Sequence, residues 1–148
     1  MPRTALAMLA FLLLLLLPGN AATAEKTAGF KIIVNVQNPV STIARERLAS
    51  IFMKKVKRWD DGSAIAVVDQ PSAARVRAVF STEILGRPSL AIQVYWRQQL
   101  FSGRDYPPPV RASDDEVAAY VRENAGAIGY LSADASVGDQ VKVLKVVE

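Results

Sequence analysis

The sequence predicts an α/β fold, a single domain in which a mixed β-sheet is flanked by helices. Three observations lead there. Apolar, β-branched runs such as Phe30-Lys31-Ile32-Ile33-Val34-Asn35-Val36 alternate along the chain with segments of helical periodicity. Ala127-Ile128-Gly129-Tyr130-Leu131 is apolar on both faces, as an interior strand covered by helices on each side must be. The connections are short, and no internal repeat or low-complexity segment interrupts residues 25–148.

Residues 1–24 stand apart from this fold. Arg3 forms a positive start, Ala5 to Leu17 an apolar run, Pro18-Gly19-Asn20 a break, and Ala22-Thr23-Ala24 a small-x-small site before Glu25. The segment reads as a cleaved secretory signal peptide. The alternative is an uncleaved N-terminal anchor, for which the run falls short of the roughly 20 residues of a membrane span. A periplasmic mature form, residues 25–148, that does not span the membrane is the expectation.

Composition narrows the chemistry. With no cysteine, an exported domain has neither a lipid-bearing cysteine nor a disulfide framework, so its core alone must hold it. With no histidine, Ser-His-Asp and Cys-His arrangements, histidine-ligated zinc and imidazole bases are excluded. Asp60-Asp61 and Asp114-Asp115 are explained by a turn and a helix start, so no enzyme is expected. The net charge is +4, and basic residues are spread apart except in Lys54-Lys55-Val56-Lys57-Arg58. That run is either a solvated helix end or an anion-binding patch. It has no interleaved aromatic residues, so nucleic-acid binding is not expected.

Phe30–Val36 is the first strand, bounded by Gly29 and by Asn38-Pro39. Val40-Ser41-Thr42 then marks a strand-to-helix junction, with Ile43, Arg47, Leu48, Ile51 and Phe52 at helical spacing down to Lys55. Trp59-Asp60-Asp61-Gly62-Ser63 is a turn before a second strand, Ala64–Val68. Pro71 just inside a helix start and Gly86 just past its end frame a helix from Ala73 to about Leu85. Pro88-Ser89 opens a third helix through Ile92, Tyr95, Trp96 and Leu100, whose aromatic stripe reads as core. Phe101 to Pro109 is an irregular loop held by Gly103 and three prolines, and Val110–Ala112 is read as a short strand.

Ser113 with Glu116 forms a capping box, and Asp114 and Asp115 suit the positive end of a dipole. The helix that follows places Val117, Tyr120, Val121 and Asn124 on one stripe. Asn124 to Gly126 should end it in a left-handed cap. Gly129 signals tight packing in the strand after it. Gln140–Val146 alternates apolar and polar, as an edge or half-exposed strand does.

Several stretches in order resemble the phosphate-binding proteins of ABC transporters. They are Leu48-x-x-Ile51-Phe52-x-x-Lys55-x-x-x-Trp59-x-x-Gly62, Ile65-x-x-Val68, Phe80, and Gly126-Ala127-Ile128-Gly129-Tyr130. Asn38-Pro39-Val40-Ser41 and Phe101-Ser102-Gly103-Arg104 are similar to the short, single-domain relatives of that family. The resemblance implies one lobe of a type 2 periplasmic-binding fold, no catalysis, no cofactor, and a small oxyanion such as phosphate as ligand. An ABC transporter or another envelope protein would be the partner. Full-length members close two lobes on the anion, and residues 25–148 are too few for two lobes of ordinary size. The family's Thr-Gly-Ser loop has no counterpart before Asn38. Where its later pattern has Arg, Ser and Thr, this chain has Gln70, Ala74 and Val76.

The candidate ligand-binding residues are Ser41 and Thr42 at the expected helix start, where free amides favour an anion, with Ser102, the Gly103 amide and Arg104. Arg104 would supply paired, planar donors to an oxyanion. Plain helix capping by Ser41 or Thr42, and a solvent-exposed loop Arg104, are the competing readings. A competing function is a binding-fold relic that serves the envelope as a protein-interaction or accessory module without solute.

Overall fold

A computed structural model describes residues 29–148, so the expected signal peptide, residues 1–24, lies outside the described residues. The elements run β1 (Phe30–Asn35), β2 (Thr42–Ala44), α1 (Arg45–Phe52), β3 (Ala66–Val67), α2 (Arg75–Glu83), α3 (Ser89–Phe101), α4 (Asp114–Glu123), β4 (Ala127–Ser132) and β5 (Val141–Val147). The strands form one mixed sheet in the order β2-β5-β1-β4-β3. β1 is antiparallel to both β4 and β5, with Ile33 opposite Gly129 on one side and Val143 on the other. β2 runs parallel to β5 and β3 parallel to β4. Among the described residues no helix is long and apolar enough to cross a membrane.

The period-2 alternation of β1 and β4 divides the core into two. Ile32, Val34, Ile128, Tyr130 and Leu144 face α1 and α2, where Leu48, Ile51, Phe52, Val76 and Phe80 close over them. The Phe80 and Tyr130 rings stack at a centroid distance of 4.0 Å. On the other face Ile33, Leu131 and Val141 meet Val117 and Val121 of α4. α3 packs on α2 rather than on the sheet.

α4 starts as its sequence dictates. The Ser113 Oγ accepts the Glu116 amide at 3.2 Å, while a Glu116 carboxylate oxygen accepts the Ala112 amide at 2.8 Å. Its end differs from expectation. Asn124 is extended, with φ −125°, because side chains satisfy the last carbonyls instead: the Asn124 amide donates to the Tyr120 carbonyl, and the Asn35 amide donates to those of Val121 and Arg122. Gly129 does mark tight packing. A Cβ there would lie 2.7 Å from a Val68 methyl and 2.9 Å from a Val117 methyl, so the close neighbours are side chains rather than backbone.

Two other expectations are corrected. Ser41-Thr42 does not open a helix. The Lys145 amide donates to the Ser41 carbonyl and Thr42–Ala44 joins the sheet, so α1 begins only at Arg45, with Ala44 as a cap lacking a side-chain bond. β5 is half-exposed, as its alternation predicts, but paired on both sides, and β2 takes the edge. Pro71 sits in a turn, its carbonyl accepting the Ala74 amide, which delays α2 to Arg75.

The basic run after α1 is solvated at Lys55, Lys57 and Arg58 and anchored at Lys54. Lys54 takes a positive φ of 56°, and its Nζ reaches the Asp105 carboxylate at 3.1 Å, the Tyr106 carbonyl at 2.9 Å and the Tyr106 ring face at 3.6 Å. Lys57 adds a second ion pair to Asp105. The Asp105 carboxyl is held down at about 2 by the Tyr106 amide first, then by the two lysines. The loop rich in proline is thereby strapped to the end of α1.

Candidate functional site

β3 leads into Val68, Asp69 and Gln70, and the turn from Pro71 to Ala74 then feeds α2. Asp69 also bridges to Val110: its amide donates to the Pro109 carbonyl, and its carbonyl accepts the Arg111 amide. The proline loop is thus drawn against the start of α2. A cavity of about 520 Å³ lies between them, and α3 supplies its remaining wall.

The floor of that cavity is a buried polar network. One oxygen of the Asp69 carboxylate accepts the Gln70 amide at 2.8 Å and the Tyr130 hydroxyl, and the other accepts the Arg77 guanidinium. Burial first, and then the Asp69 charge, push the Tyr130 phenol far above its usual range, which keeps it a neutral donor. The Gln70 side chain donates to Asp114 at 2.8 Å and to the Tyr130 carbonyl at 3.0 Å. Burial opposes the charge on Asp114, but donors from Gln70 and Ser132 hold its carboxyl below the ordinary value. β3, α2, β4 and the start of α4 therefore meet in one set of hydrogen bonds.

Two features of the network leave hydrogen-bonding capacity unused. Arg77 is only 5% exposed, lines the cavity, and keeps a buried Nε with no partner. No side chain caps α2, whose first amides have no intrahelical acceptor. Arg97 of α3 lines the same cavity from the exposed side. Two guanidiniums against one carboxylate, at the positive end of a nine-residue helix, make this an anion-favouring place. A second cavity of about 390 Å³ lies beside Asn38, Trp59 and Gly126, but its charged groups are Asp60 and Asp61, which repel an anion.

The five residues expected from the sequence are placed elsewhere. Ser41 and Thr42 are exposed on and beside β2, just ahead of Arg45, whose guanidinium reaches the Glu83 carbonyl at the C-terminal end of α2. Ser102, Gly103 and Arg104 follow the C-terminal end of α3, whose Leu100 lines the cavity while they do not. The structure does not bring the two groups together. The Ser102 hydroxyl donates to the Gln98 carbonyl at 2.7 Å, and the Gly103 amide donates to the Leu100 carbonyl at 3.1 Å. Arg104 is exposed, and its guanidinium makes no bond among the described residues.

Asp69, Arg77 and Arg97 escaped the sequence reading, while Trp96 and Tyr130 were read there as core and strand residues and are buried. The signal for Arg77 was present, since it falls on the buried side of α2 with Val76, Phe80 and Ser81, where a charge demands a partner.

Residues 27–146 match a family model described as a PBP superfamily domain. An ABC-type phosphate transport receptor from Vibrio cholerae has a similar fold, with a TM-score of 0.63 at 24% identity. That match covers 80% of this chain and 46% of the receptor. A phosphate ABC transporter substrate-binding protein from Clostridium perfringens, solved with bound phosphate, gives a TM-score of 0.62 at 23% identity, covering 80% and 44%. PstS from Borrelia burgdorferi gives 0.61 at 15% identity, covering 80% and 47%. At these identities the likeness is one of fold, and this chain spans less than half the length of each structure. No curated protein matches the chain.

Proposed function

Because the chain belongs to the PBP superfamily, by a match that spans residues 27–146, we propose that it is a solute-binding protein of the phosphate ABC transporter type. In this reading it holds a small oxyanion such as phosphate at the start of α2. The observation behind it is that Arg77, which lines the cavity, is a buried arginine whose Nε has no partner, in the first turn of a helix that no side chain caps. Those groups take over from the hydroxyl and arginine donors that Gln70, Ala74 and Val76 replace, each charge-assisted bond stabilising the anion by about 1.5 to 3 kcal/mol. The superfamily binds solutes, and the proposal includes no catalytic step. It also includes export through residues 1–24 and a periplasmic meeting with an ABC transporter.

The rival reading keeps the anion at Ser41 and Thr42 or at Ser102, the Gly103 amide and Arg104, favoured at the second place by the exposed Arg104 guanidinium. A thermal melt of the purified protein with phosphate, sulfate and a neutral sugar tests both. Phosphate at 100 times its dissociation constant should add about 2.7 kcal/mol, a rise of several degrees. Loss of that rise in Arg97→Ala but not in Arg104→Ala supports the cavity, and the reverse pattern supports the rival site. A cooperative melt that no anion moves would sink solute binding and favour the interaction-module reading.

A further inference from the structure

We infer that this cavity prefers an organic oxyanion, an anionic head group carrying an apolar body, over the bare inorganic ion. The inference rests on the reading that the cavity binds an anion, and it names the class. Size comes first. Inorganic phosphate has five heavy atoms and fills about two water volumes, roughly 60 Å³. The cavity measures about 520 Å³, within the range of sites that enclose whole organic ligands.

The chemistry of the walls points the same way. The charged lining is Asp69, Arg77 and Arg97, with Gln70, Ser72 and Gln93 as further polar groups. The other half of the lining is apolar: Pro71, Trp96, Leu100, Pro107, Pro108 and Val110. Proline and tryptophan rings offer flat apolar faces that suit an aromatic or alicyclic body. Leu100 and Val110 stand 60% and 50% exposed at the rim, with no described side chain covering them. A bare oxyanion would engage the charged groups and leave the apolar walls in water. A phosphomonoester or carboxylate with a ring attached would use both.

Titration of the protein with phenyl phosphate, inorganic phosphate and benzyl alcohol, read by calorimetry, tests the inference. Phenyl phosphate should bind at least tenfold more tightly than inorganic phosphate, and benzyl alcohol at least tenfold more weakly than phenyl phosphate. Leu100→Asn alters an exposed rim position and so leaves folding intact, and it should narrow the gap between phenyl phosphate and inorganic phosphate. Trp96→Phe should narrow it as well. Equal affinities for the two phosphates would overturn the apolar body while leaving oxyanion binding standing. Benzyl alcohol binding as well as phenyl phosphate would overturn the anionic head. Binding of none of the three would overturn the proposed function together with this inference.

Discussion

Replacing Arg77 by methionine keeps most of the side-chain volume in the α2 core and removes the charge that faces Asp69. The Asp69 carboxylate then stays buried with two of its three donors, the Gln70 amide and the Tyr130 hydroxyl. Both side chains of the pair are below a tenth exposed, so water cannot replace the guanidinium without opening the fold. Breaking a buried pair from one side costs about 3 to 5 kcal/mol. At about 4 °C per kcal/mol for a domain of this size, the melting temperature should fall by about 12 to 20 °C. Urea unfolding followed by circular dichroism measures the loss directly. Asp69→Asn in the same background removes the stranded charge and should recover a substantial part of it, so the double variant is more stable than Arg77→Met alone. A loss below about 1 kcal/mol, or no recovery in the double variant, would refute the view that this pair locks β3 to α2.

Gly126→Ala should be harsher than Gly129→Ala. A Cβ at Gly126 would sit 2.2 Å from the Ala64 carbonyl oxygen, which is backbone, whereas at Gly129 it meets methyl groups that can shift. We expect more than about 3 kcal/mol against about 1 to 3 kcal/mol by urea unfolding. Ser113→Ala should cost about 1 kcal/mol by loss of the α4 cap. The Asp105 strap predicts an acid effect. Its folded carboxyl titrates near 2, below the ordinary value of about 3.9, so its contribution is present above about pH 4 and is lost as pH falls toward 2. With Lys57 exposed, we expect that contribution to be on the order of 1 kcal/mol, and Asp105→Asn should flatten the stability profile over that window.

Elements defined by local chemistry were legible in the sequence. α4 carries its own cap and stripe, and β4 announces itself by an unbroken apolar run around a glycine too crowded for a side chain. β2 was not legible, because three residues become a strand only when β5, a hundred residues downstream, offers them a partner. The resemblance located the family, yet the site turned on placement. Expecting a helix at Ser41-Thr42 put the anion at α1, while the cavity lies at α2, which carries a buried arginine in its first turn. Asp69 and Arg77 are eight positions apart and meet only after a strand, a turn and a first helical turn are all in place. Nothing in their spacing alone marks them as partners.

The sheet order has a kinetic consequence. β1 lies at the centre of the sheet, yet neither of its neighbours is local: Lys31 and Ala135, joined by a hydrogen bond at 2.6 Å, are 104 positions apart. Loop closure on that scale must come before any strand pairing rewards it, so formation of the central ladder should be slow and late. A chain that emerges from its N-terminus first holds the apolar β1 for nearly its whole length without a native partner. During that interval Ile32, Ile33 and Val34 remain without the strand that covers them, which makes β1 the stretch most exposed to off-pathway association until β4 arrives.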